Sequence, residues 1–163
     1  MDIFKELTLN AVQIIQLMVA PAVMISACGL LLLGINNKYS LVVNRIRLLN
    51  EEKRRIMLKI GEQNSTTDEN VRLESTSVQI SALVFRAKLV RNAVLSYTSA
   101  VALFILSSLL LGISSFLSIG KLNFFILSAF LLGMIFVLTG VIYAGFETKK
   151  GYDIIAYEVK AHE

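Results

Sequence analysis

Leu17-Met18-Val19-Ala20-Pro21-Ala22-Val23-Met24-Ile25-Ser26-Ala27-Cys28-Gly29-Leu30-Leu31-Leu32-Leu33-Gly34-Ile35 lies within a stretch, residues 7–37, that carries no charged side chain. A helix needs roughly 20 apolar residues to cross the core of a bilayer. Two further stretches, 92–120 and 122–146, are also free of Asp, Glu, Lys and Arg. Lipid offers the backbone no hydrogen-bond partner, so such runs must be helices unless they close a barrel, and none of the three alternates with a period of two. The sequence predicts an all-α integral membrane protein, a single membrane domain over 1–163 with spans at about 10–36, 93–119 and 122–146.

Composition agrees: 55% of the residues are hydrophobic and 17% charged, a balance that water does not solvate well. The single proline, Pro21, falls inside the first span, where a membrane helix tolerates it with a kink. Tryptophan is absent, which leaves Tyr39, Tyr97, Tyr143, Phe124 and Phe125 as interfacial anchors. Cys28 is the only cysteine, which excludes an internal disulfide and a thiolate metal site within one protomer. Ile25-Ser26-Ala27-Cys28 has the form of a lipoprotein cleavage box. The residues ahead of it carry no net positive charge, and Gly29-Leu30-Leu31-Leu32-Leu33 follows where a polar tether belongs, so a retained helix is the better reading.

Lysine and arginine near the span ends set orientation. Lys38, Arg45, Arg47, Arg86, Lys88, Arg91, Lys149 and Lys150 lie on one side, and only Lys5 and Lys121 on the other. The amino terminus is therefore expected outside, with 38–91 and the carboxyl-terminal tail in the cytoplasm.

Segment 38–91 carries two apolar series on 3- and 4-residue steps: Val42, Ile46, Leu49, Ile56 and Ile60, with Lys53 as one polar position, and Thr76, Ile80, Leu83, Ala87, Val90 and Val94. Two such stripes predict an antiparallel helical hairpin whose arms continue spans one and two. A polar turn at 61–70 joins them, with Gly61 placed to end one helix and Thr66 to cap the next, Glu69 completing a capping box. The simplest role for the stripes is that the two arms bury them against each other. Arg86, Lys88 and Arg91 are placed to meet anionic lipid headgroups, while Lys53-Arg54-Arg55 reads as a solvated face.

No carboxylate or histidine lies within a span, and there is no Ser/His/Asp set, His/Cys cluster or Gly-rich phosphate loop. The sequence thus predicts neither an enzyme nor a bound cofactor or metal, and nothing in it points to nucleic acid. Ion-coupled carriers keep ionisable groups at mid-membrane, and these are missing too. What the spans do carry is small and hydroxyl residues at helical spacing: Ala22, Ser26 and Gly29 in span one, Ser96, Ser107 and Ser114 in span two, Gly133 and Gly140 in span three. Such faces let membrane helices approach closely, and three of them on three helices predict that one meets another copy. In a ring of copies, Gln13 and Gln16 near the outer mouth of span one, or the span-two serines, are the candidates to line a pore.

Met18-Val19-Ala20-Pro21-Ala22-Val23, Gly29-Leu30-Leu31-Leu32-Leu33, Asn36-Asn37-Lys38-Tyr39 and Asn44-Arg45-Ile46-Arg47-Leu48-Leu49-Asn50-Glu51 together resemble a family of small bacterial membrane proteins known only as a domain of unknown function. The likeness is most specific over 18–51 and weaker around Leu83, Arg86, Leu89, Arg91 and Asn92. The resemblance implies a three-span protein of a bacterial inner membrane and implies no activity. Asparagine is a poor helix former, so Asn36, Asn37 and Asn44, with Arg45 and Arg47, mark a cytosolic mouth or a seam between copies. Two functions follow: a homo-oligomeric channel-like pore with a helical vestibule, or a non-conducting scaffold whose hairpin binds a cytosolic protein or anionic lipid.

Overall fold

A computed structural model describes the backbone of residues 2–61, 67–117 and 122–160 and the side chains of 15–60, 69–114 and 123–151. The described residues form three helices and no strand: α1 (Asp2–Gly61), α2 (Thr67–Leu117) and α3 (Leu122–Lys160). Each is long and apolar enough to cross a membrane, which makes the chain a multi-pass membrane protein. Spans one and two run without a break into the hairpin arms, as the unbroken apolar pattern predicts. Helix α1 passes through Pro21 as well. Helix α1 ends at Gly61 and α2 begins at Thr67; residues 62–66, with Thr66 as the expected cap, lie outside the described residues.

The single domain expected from the length packs as two compact units, 1–34 with 93–142 and 35–92 with 143–163. In the first unit the core is Cys28, Ala100 and Phe104, with Met24, Ile25, Val101, Phe130 and Val137 packed against it. Phe104 and Phe130 meet at 5.4 Å between ring centroids, tilted by 56°. Two glycines bring α3 in close. A methyl group on Gly133 would lie 2.8 Å from the Phe104 ring, and one on Gly140 would lie 2.6 Å from the Tyr97 ring. The rings therefore rest on bare α3 backbone, the contact that small residues permit between membrane helices.

Span one uses its small residues differently. Ala22, Ser26 and Gly29 face outward, a methyl group on Gly29 would meet nothing within 4 Å, and the Ser26 hydroxyl donates to the Ala22 carbonyl at 3.1 Å.

In the second unit, Ile35, Val42, Leu49 and Ile56 are buried at steps of seven residues, which keeps one side of α1 on the seam. From α2, Thr76 and Val90 are buried, with Ile80, Leu83 and Ala87 half-buried. The arms also meet through charge: Arg72 donates from Nε and Nη2 to Glu52 Oε1 at 2.9 and 2.6 Å.

Gly140→Ala is expected to lower the thermal unfolding midpoint of the purified protein in detergent, with a steric cost of about 1–3 kcal/mol. Gly29→Ala should leave the midpoint unchanged or higher, because alanine is favoured over glycine in a helix by roughly 1 kcal/mol.

Candidate functional site

Helix α3 leaves its apolar run at Glu147, seven residues beyond Gly140 and fourteen beyond Gly133. That spacing keeps the carboxylate on the inward side of the helix. Glu147 is accordingly 2% exposed. Arg86 on α2 donates from Nη2 to Glu147 Oε1 at 2.7 Å, and Lys38 on α1 donates from Nζ to Glu147 Oε2 at 3.3 Å. Lys38 also donates to Thr148 Oγ1 at 3.0 Å, while that hydroxyl donates to the Ala144 carbonyl.

All three helices thus meet at one carboxylate, supplied by α3, with a cation from each of α1 and α2. Two cations on one anion leave the cluster with an excess of positive charge. Arg86 is pressed down onto α3, where a methyl group on Gly151 would lie 2.9 Å from its Nη2 and 3.1 Å from its Cζ. The Arg86 Nε is buried without a hydrogen-bond partner. The two cations are not equivalent, since the Lys38 side chain is 47% exposed and that of Arg86 only 21%. Water screens the first pair and not the second.

Arg86, named with Lys88 and Arg91 as a lipid-headgroup candidate, lies on the inward side of α2 between the seam positions Leu83 and Val90 and is held by Glu147. Lys88 and Arg91 are exposed.

The other candidates separate into inner and outer groups. Ser96 and Ser107 are buried within the first unit, and the Ser107 hydroxyl donates to the Ile126 carbonyl on α3 at 3.2 Å. A hydroxyl so placed bridges α2 and α3. Ser107 and Ser114 instead border a cavity of 440 Å³ between α1, α2 and α3. Gln16 is exposed, and the side chain of Gln13 lies outside the described residues. Asn36, Asn37, Asn44, Arg45 and Arg47 are all exposed on α1. Among the described residues no group of three His, Cys, Asp or Glu is placed to hold a metal ion.

A continuous three-helix protein with this charge pattern can be compared with known families. The chain belongs to the family described as Protein of unknown function (DUF2721), which matches residues 18–156. No curated protein and no solved structure matches it. The DUF2721 match takes in Lys38, Arg86, Glu147 and Gly151 and begins beyond Gln13 and Gln16.

Sequence reading passed over Glu147 because it is the first residue after the third apolar run. The signal was present nonetheless: continuing the small-residue strip Gly133–Gly140 by one more heptad lands on it. Glu147→Gln in the full-length protein is expected to destabilise by about 3–5 kcal/mol, the cost of leaving a buried cation without its partner. Lys38→Met should cost only about 0–1 kcal/mol, as a half-solvated pair does. Chemical denaturation in mixed micelles, read by helical circular dichroism, separates the two.

Proposed function

We propose that this protein is a homo-oligomeric, non-conducting scaffold of a bacterial inner membrane, with its amino terminus outside and its hairpin and carboxyl end in the cytoplasm. The orientation rests on the excess of Lys and Arg that flanks the hairpin side of the spans.

The observation that carries the scaffold reading is the outward side of α2. Val71, Val78 and Phe85 stand seven residues apart and are 63%, 65% and 52% exposed. They belong to the polar hairpin, where such a stripe meets water instead of acyl chains. A narrow apolar line at heptad spacing is what a second helix covers. Copies anchored in one membrane stand parallel, so the three residues of one copy meet the same three of the next. A helix of a cytosolic protein is the other fitting occupant. Nearer the membrane end, exposed Arg45, Arg47, Lys88 and Arg91 suit anionic lipid.

A channel-like pore is the second reading. It is favoured by the exposure of Gln16, Asn36, Asn37 and Asn44 on α1. With Ser96 and Ser107 inside the protomer, the lining falls to α1, with Gln13 and Gln16 at the outer mouth and the hairpins as the vestibule.

Full-length protein in liposomes loaded with potassium or chloride tests the choice. The scaffold reading expects no flux above that of empty vesicles, and it expects Val78→Glu to reduce cross-linking between copies. Flux that Gln16→Leu abolishes would replace the scaffold with the pore.

A further inference from the structure

The 440 Å³ cavity of the first unit lies within the roughly 300–1,000 Å³ of small-molecule sites. Its chemistry changes along its length. Ser114 and Asn123 border it, near the carboxyl end of α2 and the amino end of α3, and Leu17 borders it from α1. Pro21, Leu111 and Phe130 contribute apolar lining. Ser107 also borders the cavity, with its hydroxyl already given to Ile126.

Polarity at the mouth comes from two sources. Asn123 contributes an amide and is exposed. The Leu17 carbonyl lacks its usual helical donor, because the residue four positions on is Pro21, which has no N–H. Both Leu17 and Pro21 border the cavity. An acceptor freed from the helix ladder beside an apolar slot, in a unit built of membrane spans, selects an amphiphile with a hydroxyl at its head.

We propose that this cavity holds one acyl chain of a hydroxyl-bearing bilayer lipid. The chain lies against Pro21 and Phe130, and the head hydroxyl donates to the Leu17 carbonyl beside Asn123. The mouth accepts a donor and the slot accepts methylene groups, so a hydrocarbon of the same length satisfies only half of the site.

Delipidated full-length protein in detergent is equilibrated with monooleoylglycerol or with an alkene of equal chain length, and retained ligand is counted by native mass spectrometry. The expected result is one monooleoylglycerol per protomer, retained about tenfold better than the alkene. Ala20→Phe, which fills the cavity, should abolish retention. Pro21→Ala restores the missing N–H and should remove the preference for the hydroxyl while leaving the chain bound. Equal retention of the two ligands by the unaltered protein, or undiminished retention by folded Ala20→Phe, overturns the proposal. Phe130→Trp provides a readout that does not depend on the folding of Ala20→Phe, because the chain has no other tryptophan. Quenching by a brominated monoacylglycerol should saturate at one equivalent, and quenching that rises without saturation overturns the proposal.

Discussion

Lipid cannot hydrogen-bond a peptide group, and every other feature of this protein follows from that constraint. Each apolar run has to satisfy its own backbone, so each is a helix, and polar side chains in the runs look for partners close at hand. Ser26, Thr98 and Thr139 donate to the carbonyls four residues behind them on their own helix. Ser107 is different, because its hydroxyl reaches Ile126 on another helix and joins α2 to α3. Pro21 is the exception of opposite kind, since it subtracts a donor and leaves a carbonyl that the helix does not use.

The same seven-residue spacing serves two solvents. Among acyl chains an apolar side chain gains little by leaving its surroundings, and association depends on fit. Tyr97 on Gly140 and Phe104 on Gly133 show such fit, with aromatic faces laid on glycine backbone. In the hairpin the surroundings are polar, and Val42, Leu49 and Ile56 pack because water rejects them, by about 25 cal/mol for each Å² of apolar surface removed. One helix, α1, therefore carries a single line of buried residues, Pro21, Cys28, Ile35, Val42, Leu49 and Ile56, whose burial has different causes at its two ends.

Glu147 sits where the apolar run of α3 ends, and its burial has to be offset by charge. A carboxylate out of water is tolerated only with partners, and Arg86 and Lys38 supply them from the other two helices. Such a cluster adds little net stability relative to well-packed apolar groups. Its effect is on register: a slide of α3 along its axis separates the carboxylate from both cations, and Gly151 leaves space for Arg86 at one axial position. An apolar contact at the same place would tolerate the slide.

The sequence by itself determined the helices, their number and the hairpin, because charge-free length and apolar spacing act within a single element and need no knowledge of its neighbours. The seam residues Val42, Leu49, Thr76 and Val90 were legible for the same reason. Tertiary structure decided which small-residue face was used within the protomer: the α3 strip lies under aromatic rings, while Ala22, Ser26 and Gly29 remain outside. It also turned Ser96 and Ser107 inward, placed Arg86 against Glu147, and set Ser114 and Asn123 on the lining of a cavity. Pairing of this kind depends on which residues from distant parts of the chain reach the same height and the same side. Periodicity fixes the side a residue occupies on its own helix, and only the packing of helices fixes what stands opposite.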